Sequence, residues 1–468
     1  MISLILIFPV IACLILFLIK NRALNNFMIT LYALIHLFCS ICLCADFNPL
    51  DIKQNLFAID DLNKIFLIVL SVVYFAVAIY NNGYMKDDKS LTKKLRHYSY
   101  AVLLFVMSMT GAILSTNLGI TWIFIEATTL TSAYLIYFHK TKHSIEAAWK
   151  YVFICSIGIA LAFVGIILLT ISTGSLNSLS YNDLYSNAQN FDQLWLKLSF
   201  VFILFGIGTK MGLAPVHFWL PDAHAQSPSP ISALLSATLL NSAFLMILKV
   251  FKIMIISGCD NYARIMLLVM GFLSLFIAAV FVYHINNYKR MLAYSSVENM
   301  GILAIGAALG GAGMLASVIH LIGHSFIKAS FFMTSGNILK IYGTKKIKSV
   351  TGLLESDKKS GWLWILSCLG IVAFPPSVLF ISEYLIVKTM LLGEHYWMCA
   401  LFLLLLTLII YGLVRAVFTM SVNDGKEHEK IKLSWTMYTP QIVLLIIAFV
   451  MGIYLPYHEV IASAVSGF

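Results

Sequence analysis

The chain has 468 residues, of which 60% are hydrophobic and only 11% are charged, and its mean hydropathy is +0.90. A soluble domain usually carries about 25% charged residues, so this composition excludes a soluble globular protein and indicates an all-α polytopic membrane protein. The net charge of +10 does not indicate a nucleic-acid-binding protein, because the basic residues fall between apolar segments and form no single patch.

The apolar segments and the breaks between them predict about 14 transmembrane helices. The first segment has no basic region before it and no small-residue cleavage site after it, so we interpret it as a span and not as a removable signal peptide. In chain order the predicted spans are 2–19, 26–45, 62–83, 98–116, 118–138, 149–172, 197–221, 230–257, 262–284, 292–309, 313–340, 362–390, 398–420 and 435–454.

Prolines predict that two of these spans are broken. Pro215 interrupts the seventh span, and Pro375 and Pro376 interrupt the twelfth. A proline frees a backbone carbonyl, which the membrane interior tolerates only where protein or water binds it. The breaks lie five helices apart, so the broken segments run in opposite directions, as in transporters built from inverted repeats. The predicted division is 1–97 for helices 1–3, 98–257 and 258–420 for two inverted five-helix repeats, and 421–468 for the last helix and tail.

The distribution of lysine and arginine predicts the orientation of the spans. If successive loops alternate between the two sides, the most basic loops all lie on one side, at 86–96, 140–150, 340–359 and 426–432. Basic loops face the cytoplasm. Both termini are therefore predicted on the non-cytoplasmic side of a prokaryotic cytoplasmic membrane.

Three spans carry an isolated charge. Glu126 lies in the middle of the fifth span, Lys210 just before the Pro215 break, and Glu383 about two turns after the second break. A charge at the bilayer centre costs roughly 2.5–3.5 kcal/mol, so it occurs mainly in a protein-lined or hydrated interior. An opposite charge nearby favours the ionised forms of Glu126 and Lys210, and if the two pair, their separation would favour proton release from the lysine. The alternative is a static pair that only joins two helices.

The eleventh span carries His320, His324 and Lys328 at intervals of four residues, which places them on one face of a helix. Histidine titrates nearest neutral pH, so the three side chains form a plausible proton relay. Two alternatives remain: histidines that are hydrogen-bonded within a core, and ligands of haem or copper.

Other titratable groups are weaker candidates. Lys249 and Lys388 could carry protons or could extend to the membrane interface. His217 and His224 follow Lys210 at intervals of seven residues and could line a water path. Lys150 could take up protons, although its i, i+4 spacing from an acid is also typical of a surface pair. Glu298 is either a proton carrier or a helix N-terminal acid without a transport role.

No cofactor or metal site is predicted in this chain. Cys39, Cys42 and Cys44 lie close together, but without a nearby histidine they are more typical of buried small side chains than of metal ligands. No motif for a flavin, a nucleotide or a redox centre is present.

Three segments resemble the antiporter-like membrane subunits of respiratory complex I, group 4 membrane-bound hydrogenases and Mrp antiporters. They are GTKMGLAPVHFWLPDAHAQSPSPISALLSA, HLIGHSFIKASFFMTSGNI and FPPSVLFISEY. WIFIEATTLTSAYLIYFHKTKHSIEAAWKYVF and RMLAYSSVENMGI are most similar to component F of hydrogenase-4 and formate hydrogenlyase complexes.

The resemblance implies a role for each buried charge. Glu126 would be the acid of the fifth helix, and Lys210 the lysine of the broken seventh. His320, His324 and Lys328 would form the central relay. Glu383 would be the terminal acid of the broken twelfth helix.

One position departs from the family pattern. Complex I relatives often place a lysine or histidine early in the eighth helix, where this chain has Ser236 and Asn241. The link between the two halves would then depend on water or on Lys249.

The expected function is proton translocation within a redox-driven complex of the hydrogenase-4 type. The chain would have no catalytic centre, and iron–sulfur clusters with nickel–iron or flavin would belong to partner subunits. Partners would be other membrane subunits, a peripheral hydrogenase or NADH dehydrogenase arm, and lipid. The alternatives are a complex I subunit, an Mrp-type subunit that exchanges protons for a cation such as Na⁺, and a scaffold whose buried charges only lock helices together.

Overall fold

The computed structural model describes residues 1–19, 21–47, 56–86, 92–174, 176–422, 432–454 and 458–468. Within these ranges the chain is all-helical, and three isolated β-bridges are its only extended pairings. The helices in chain order are α1 (Ile2–Leu18), α2 (Arg22–Cys44), α3 (Asp61–Tyr84), α4 (Thr92–Leu114), α5 (Leu118–Ile136), α6 (Lys142–Ser172), α7 (Tyr181–Asn187), α8 (Gln193–Met211), α9 (Trp219–Gln226), α10 (Ser229–Leu234), a π-helical turn (Leu235–Leu239), α11 (Leu240–Ile256), α12 (Asp260–Val282), α13 (Tyr288–Leu309), α14 (Gly311–Tyr342), α15 (Leu353–Ser356), α16 (Lys358–Ile371), α17 (Val378–Leu392), α18 (Tyr396–Val422), α19 (Thr439–Ile453) and α20 (His458–Val465).

Among the described residues, 12 helical segments are long and apolar enough to cross a membrane. One of them, Ser229–Ile256, combines α10, the π-helical turn and α11. The predicted total of about 14 spans also requires α1, with 17 residues, and the pair α16 and α17, with 14 and 15 residues. The all-helical membrane fold is confirmed, whereas the full count and the inverted repeats stay predictions.

Several predicted spans begin earlier than their apolar runs suggested, and the sixth and seventh show the physical reason. The sixth was predicted from 149, but α6 begins at Lys142, where the Thr141 side chain accepts a hydrogen bond from the backbone of Ser144. The seventh was predicted from 197, but α8 begins at Gln193 because the Asp192 carboxylate caps its first turn. Capped polar turns extend a helix beyond the segment that hydrophobicity marks.

The predicted break in the seventh span is present. α8 ends at Gly212, whose φ of 80° lies in the left-handed region. The Trp219 indole donates to the Thr209 carbonyl at 2.7 Å, and the backbone N–H of Ala214 donates to Ser274 Oγ at 2.9 Å. Side chains thus satisfy backbone groups that the break leaves unpaired.

The second predicted break separates α16 from α17. Ser377 Oγ donates to the Gly370 carbonyl at 3.0 Å across the break. Two glycines let neighbouring helices approach it. A Cβ at Gly452 of α19 would lie 1.8 Å from the Pro376 carbonyl, and a Cβ at Gly323 of α14 would lie 2.3 Å from a side chain of α17. The break is therefore packed tightly between α14 and α19.

The helix α14 lies at the centre of the molecule. The most apolar stretch of α14 is 100% buried, against 39% for those of α6 and α12. The relay predicted on α14 is consequently enclosed by protein. The basic-loop residues Lys89, Lys426 and Lys430 lie outside the described residues, and the orientation of the termini stays a prediction.

Candidate functional site

Lys210 occupies the last turn of α8 and is fully buried. Its ammonium group donates to the hydroxyl of Tyr151 on α6 at 2.8 Å. That hydroxyl is also 2.6 Å from Ser132 Oγ on α5. Lys210, Tyr151 and Ser132 therefore form a hydrogen-bonded line across three helices, and sequence reasoning missed the tyrosine and the serine.

Glu126 and Lys210 form no direct ion pair, although Lys210 interacts electrostatically with Glu126. Neither residue takes part in any of the six ion pairs formed by the described residues. Glu126 is half-buried on α5 and accepts a hydrogen bond from Thr129 Oγ1 at 3.0 Å. The group in contact with the Lys210 amine is therefore the Tyr151 hydroxyl and not the Glu126 carboxylate.

His320 is fully buried on α14 and is hydrogen-bonded at both ring nitrogens. Its Nε2 lies 3.0 Å from Asn299 Oδ1 on α13, and its Nδ1 lies 2.9 Å from Ser382 Oγ on α17. Ser382 directly precedes Glu383. The imidazole thus joins the centre of the molecule to the helix that carries the predicted terminal acid.

Lys328 and His324 complete the predicted row on α14. Lys328 Nζ donates to the Leu292 carbonyl of α13 at 2.8 Å, whereas neither ring nitrogen of the buried His324 has a hydrogen-bond partner within the described ranges. Glu298 interacts electrostatically with Lys328 and is 4% exposed. Because α13 begins at Tyr288, Glu298 lies mid-helix, and its interpretation as a helix N-terminal acid is wrong.

The π-helical turn in the eighth span directs two polar side chains toward the relay. Ser236 Oγ lies 2.8 Å from Ser296 Oγ on α13, and Asn241 Nδ2 donates to Ser325 Oγ on α14 at 2.8 Å. Such π-turns are frequent at functional sites. Asn241, which follows the turn, is therefore the eighth-helix side chain that reaches the helix of the relay.

Lys249 is buried elsewhere. It lies eight residues beyond Asn241 in the sequence, which is roughly 12 Å along a helix. Its ammonium group donates to the Ser115 carbonyl at 3.2 Å and lies 4.7 Å from the ring centroid of Tyr181 on α7. These contacts do not connect Lys249 to Lys210 or to α14, so the structure gives no support to a link through this lysine.

The two histidines after Lys210 are both buried, but they have different neighbours. His217 packs against Phe218 and Tyr294, with ring centroids 4.8 and 6.1 Å away. His224, near the end of α9, stacks on Phe332 of α14 at 4.8 Å, and its ring nitrogens have no hydrogen-bond partner in the part of the chain that is described. Only His224 approaches α14.

Two lysines, Lys289 of α13 and Lys345 of the predicted basic loop 340–359, are packed at the end of α9. Lys289 is fully buried and donates to the Ser227 carbonyl at 2.8 Å, and Lys345 donates to the Ala225 carbonyl at 2.6 Å. Burial lowers the pKa of Lys345. Cations at a helix C-terminus bind its free carbonyls and oppose its dipole. These lysines therefore stabilise the second half of the broken helix.

A charged surface cleft of about 310 Å³ lies beside the other face of α9. Lys150 is exposed there and pairs with Glu146 at 2.7 Å and with Asp222 at 3.3 Å. Arg290 of α13 also pairs with Asp222. The predicted surface pair is thus part of a four-residue network that joins α6, α9 and α13.

The predicted exit-side residues differ in exposure. Glu383 is half-buried on α17, whereas Lys388 is exposed. Glu383 also interacts electrostatically with Glu298. Over the described ranges, no three His, Cys, Asp or Glu side chains come together in a group that could hold a metal ion.

Comparison with known sequences identifies the family. The family described as "NADH:quinone oxidoreductase/Mrp antiporter, TM" matches residues 115–424. A hydrogenase-4 component F homolog of Methylacidiphilum infernorum is 32% identical over 97% of this chain and 96% of its own length. A Na⁺/H⁺ antiporter subunit A1 of Staphylococcus haemolyticus is 30% identical over 77% of this chain and 46% of its own length.

A solved structure has the same fold. A chain of the archaeal membrane-bound sulfane sulfur reductase superposes with a TM-score of 0.90 and 22% identity, covering 100% of this chain and 97% of that one. The resemblance inferred from the sequence motifs is confirmed, and this chain belongs to the membrane-subunit family shared by NADH:quinone oxidoreductases and Mrp antiporters.

Proposed function

We propose that this chain is a proton-translocating membrane subunit of a redox-driven complex of the hydrogenase-4 type. The nearly full-length similarity to a hydrogenase-4 component F homolog supports the choice of complex. The observation that carries the proposal is the set of fully buried basic groups Lys210, His320 and Lys328, whose hydrogen bonds go to hydroxyl, amide and carbonyl groups and not to carboxylates. Such groups can gain or lose a proton without breaking an ion pair.

The proposed path has two sections. The first runs from Glu126 on α5 to the hydrogen-bonded line of Ser132, Tyr151 and Lys210. The second follows α14 from Lys328 through His320 and then reaches Glu383.

Between the sections lie buried polar atoms without a protein partner inside the described ranges, including both nitrogens of His324, Asn241 Oδ1 and Glu298 Oε2. Buried polar groups are normally hydrogen-bonded. We therefore place ordered water at these atoms as the link between the two sections. On the α11 side, Asn241 Oδ1 would accept a hydrogen bond from this water.

Energy for transport would come from partner subunits. Moving one charge against ~100 mV costs about 2.3 kcal/mol. In this proposal, electron transfer in partners that contain iron–sulfur and nickel–iron or flavin centres displaces charge near Glu126 and Lys210. The basic loops face the cytoplasm, and both termini lie on the other side.

A second candidate is a subunit of a cation/proton antiporter, which the 30% identity to a Na⁺/H⁺ antiporter subunit favours. Isolation of the tagged chain from native membranes in mild detergent, followed by mass spectrometry, distinguishes the candidates. We expect a hydrogenase-like large subunit and iron–sulfur proteins. Flavin and NADH-binding subunits would instead indicate complex I, and small membrane proteins alone would contradict a redox-driven role.

A further inference from the structure

The hydrogen bonds of His320 determine which ring nitrogen is free to exchange a proton. Asn299 donates through Nδ2 to the Ser295 carbonyl at 2.6 Å, which fixes Oδ1 as the group that faces the imidazole. An amide oxygen only accepts hydrogen bonds. The 3.0 Å contact to Nε2 therefore requires a hydrogen on Nε2 in both charge states of the ring.

The other nitrogen faces a group that both donates and accepts. Ser382 Oγ is 2.9 Å from Nδ1 and 2.8 Å from the Leu379 carbonyl one turn earlier in α17. When His320 is neutral, the hydroxyl can donate to Nδ1. When His320 is protonated, Nδ1 donates to Oγ and the hydroxyl hydrogen turns to Leu379. Rotation of one hydroxyl satisfies both charge states, and no heavy atom has to move.

We propose that His320 exchanges its proton only through Nδ1 and that Ser382 relays this proton toward Glu383. In the transfer, the Nδ1–H bond breaks as a bond to Ser382 Oγ forms, and Oγ gives up its own hydrogen to a water molecule that passes a hydrogen on to the Glu383 carboxylate, since adjacent residues of a helix do not face each other. A protonated imidazole and a carboxylate become a neutral imidazole and a carboxylic acid, and the serine is regenerated. This inference rests on the proposed function, because it assigns an atom and a residue to that path.

The chain contains a matched control for the serine. Ser330 Oγ of α14 lies 3.1 Å from Ser367 Oγ of α16, and both side chains are buried. This pair also joins α14 to the broken twelfth span, but among the described residues neither hydroxyl is hydrogen-bonded to a titratable side chain. S367A removes a hydroxyl contact between the same two elements without affecting His320.

The test uses the whole purified complex in proteoliposomes. A K⁺ diffusion potential of about 100 mV drives protons, and an internal pH dye reports the rate. We expect S382A to retain less than a tenth of the wild-type rate, S382T to retain at least half because it keeps the hydroxyl, and S367A to match wild type. N299D should also fall below a tenth, because a carboxylate beside Nε2 would hold His320 in its protonated form.

The outcomes separate this inference from the function on which it rests. If K210A abolishes proton movement but assembled S382A moves protons at the wild-type rate, the relay through Ser382 is wrong and the proposed function stands. Equal loss in S382A and S382T, with intact assembly, also contradicts the relay. If S382A does not assemble, the N299D variant is the test, and proton movement at the wild-type rate in N299D overturns the inference. If K210A and wild type move protons equally, the proposed function itself fails.

Discussion

At the scale of single residues, the partner of Lys210 is a tyrosine hydroxyl. The Tyr151 ring packs against Trp219 in a tilted arrangement, with ring centroids 4.9 Å apart, so it has a packing role that is separate from the hydroxyl's contact with the amine. A buried donor that loses its acceptor costs about 1–3 kcal/mol. The two roles can be separated by removing the oxygen alone.

We predict that Tyr151→Phe leaves the complex assembled but lowers proton translocation at least tenfold, because Lys210 loses its link to Ser132. The measurement is the initial rate of acidification of inverted membrane vesicles. Tyr185→Phe is the control, because that hydroxyl donates to a backbone carbonyl outside the path. An unchanged rate in Tyr151→Phe would show that the line through Ser132 carries no protons.

The eighth helix allows a comparison of two polar side chains. Asn241 contacts Ser325 beside the relay, whereas Lys249 is bonded near α7. We predict that Asn241→Leu reduces vesicle acidification at least tenfold and that Lys249→Met reduces it less than threefold. The opposite ranking would restore Lys249 as the link between the two halves.

The sequence identified the buried charges at this scale but not their partners. Lys210 and His320 are conspicuous because a charge or an imidazole in an apolar run has few explanations. A tyrosine such as Tyr151 or a serine such as Ser382 is common in membrane helices, so neither has a signature that sets it apart. Glu126 and Lys210 interact without direct contact, and the sequence could not show that the Tyr151 hydroxyl would bind the amine.

At the scale of elements, the two broken helices are held by different means. Prolines predicted where both breaks occur, whereas the contacts that hold them depend on tertiary packing. The residues Leu235–Leu239 carry no sequence signal that predicts their π-helical turn. Within this turn, Ser236 of the eighth span contacts Ser296 of α13.

Charge holds the second half of the seventh span. Asp222 of α9 pairs with Lys150 of α6 and with Arg290 of α13. We predict that Asp222→Arg lowers the rate of vesicle acidification about threefold and that adding Arg290→Asp restores part of that rate. The expected effect is modest because partly exposed ion pairs contribute only about 0.2–1 kcal/mol each. No recovery in the double variant would mean that the pair does not position α9.

Close packing holds the second break. A Cβ at Gly452 would lie 1.8 Å from the Pro376 carbonyl, which is backbone and cannot rotate away. We predict that Gly452→Ala destabilises the protein by about 1–3 kcal/mol through overpacking. The measurement is the thermal unfolding of the purified complex. Gly208→Ala is the control, because its Cβ would meet the end of a methionine side chain at 3.3 Å. Equal melting temperatures in the two variants would contradict this packing.

At the scale of the whole molecule, a central helix and two flanking broken helices place basic groups where lipid and bulk water do not reach. Composition alone predicted the membrane class, because 11% charged residues cannot cover the surface of a soluble chain of this size. The family was recognisable from the segments around Lys210, His320 and Glu383. The sequence analysis did not identify the most enclosed helix, although the most apolar stretch of α14 has a mean hydropathy of only 1.3, against 2.9 for that of α6.

The central claim is that Lys210 carries protons through this chain. The most direct test is acidification of inverted membrane vesicles, energised in turn with formate and with NADH, for wild type, Lys210→Ala and Lys388→Ala. Lys388 is the control because it is exposed on α17. We predict that Lys388→Ala acidifies the vesicles as wild type does, and that Lys210→Ala assembles and transfers electrons but does not acidify them. Undiminished acidification in assembled Lys210→Ala would contradict the proposed path.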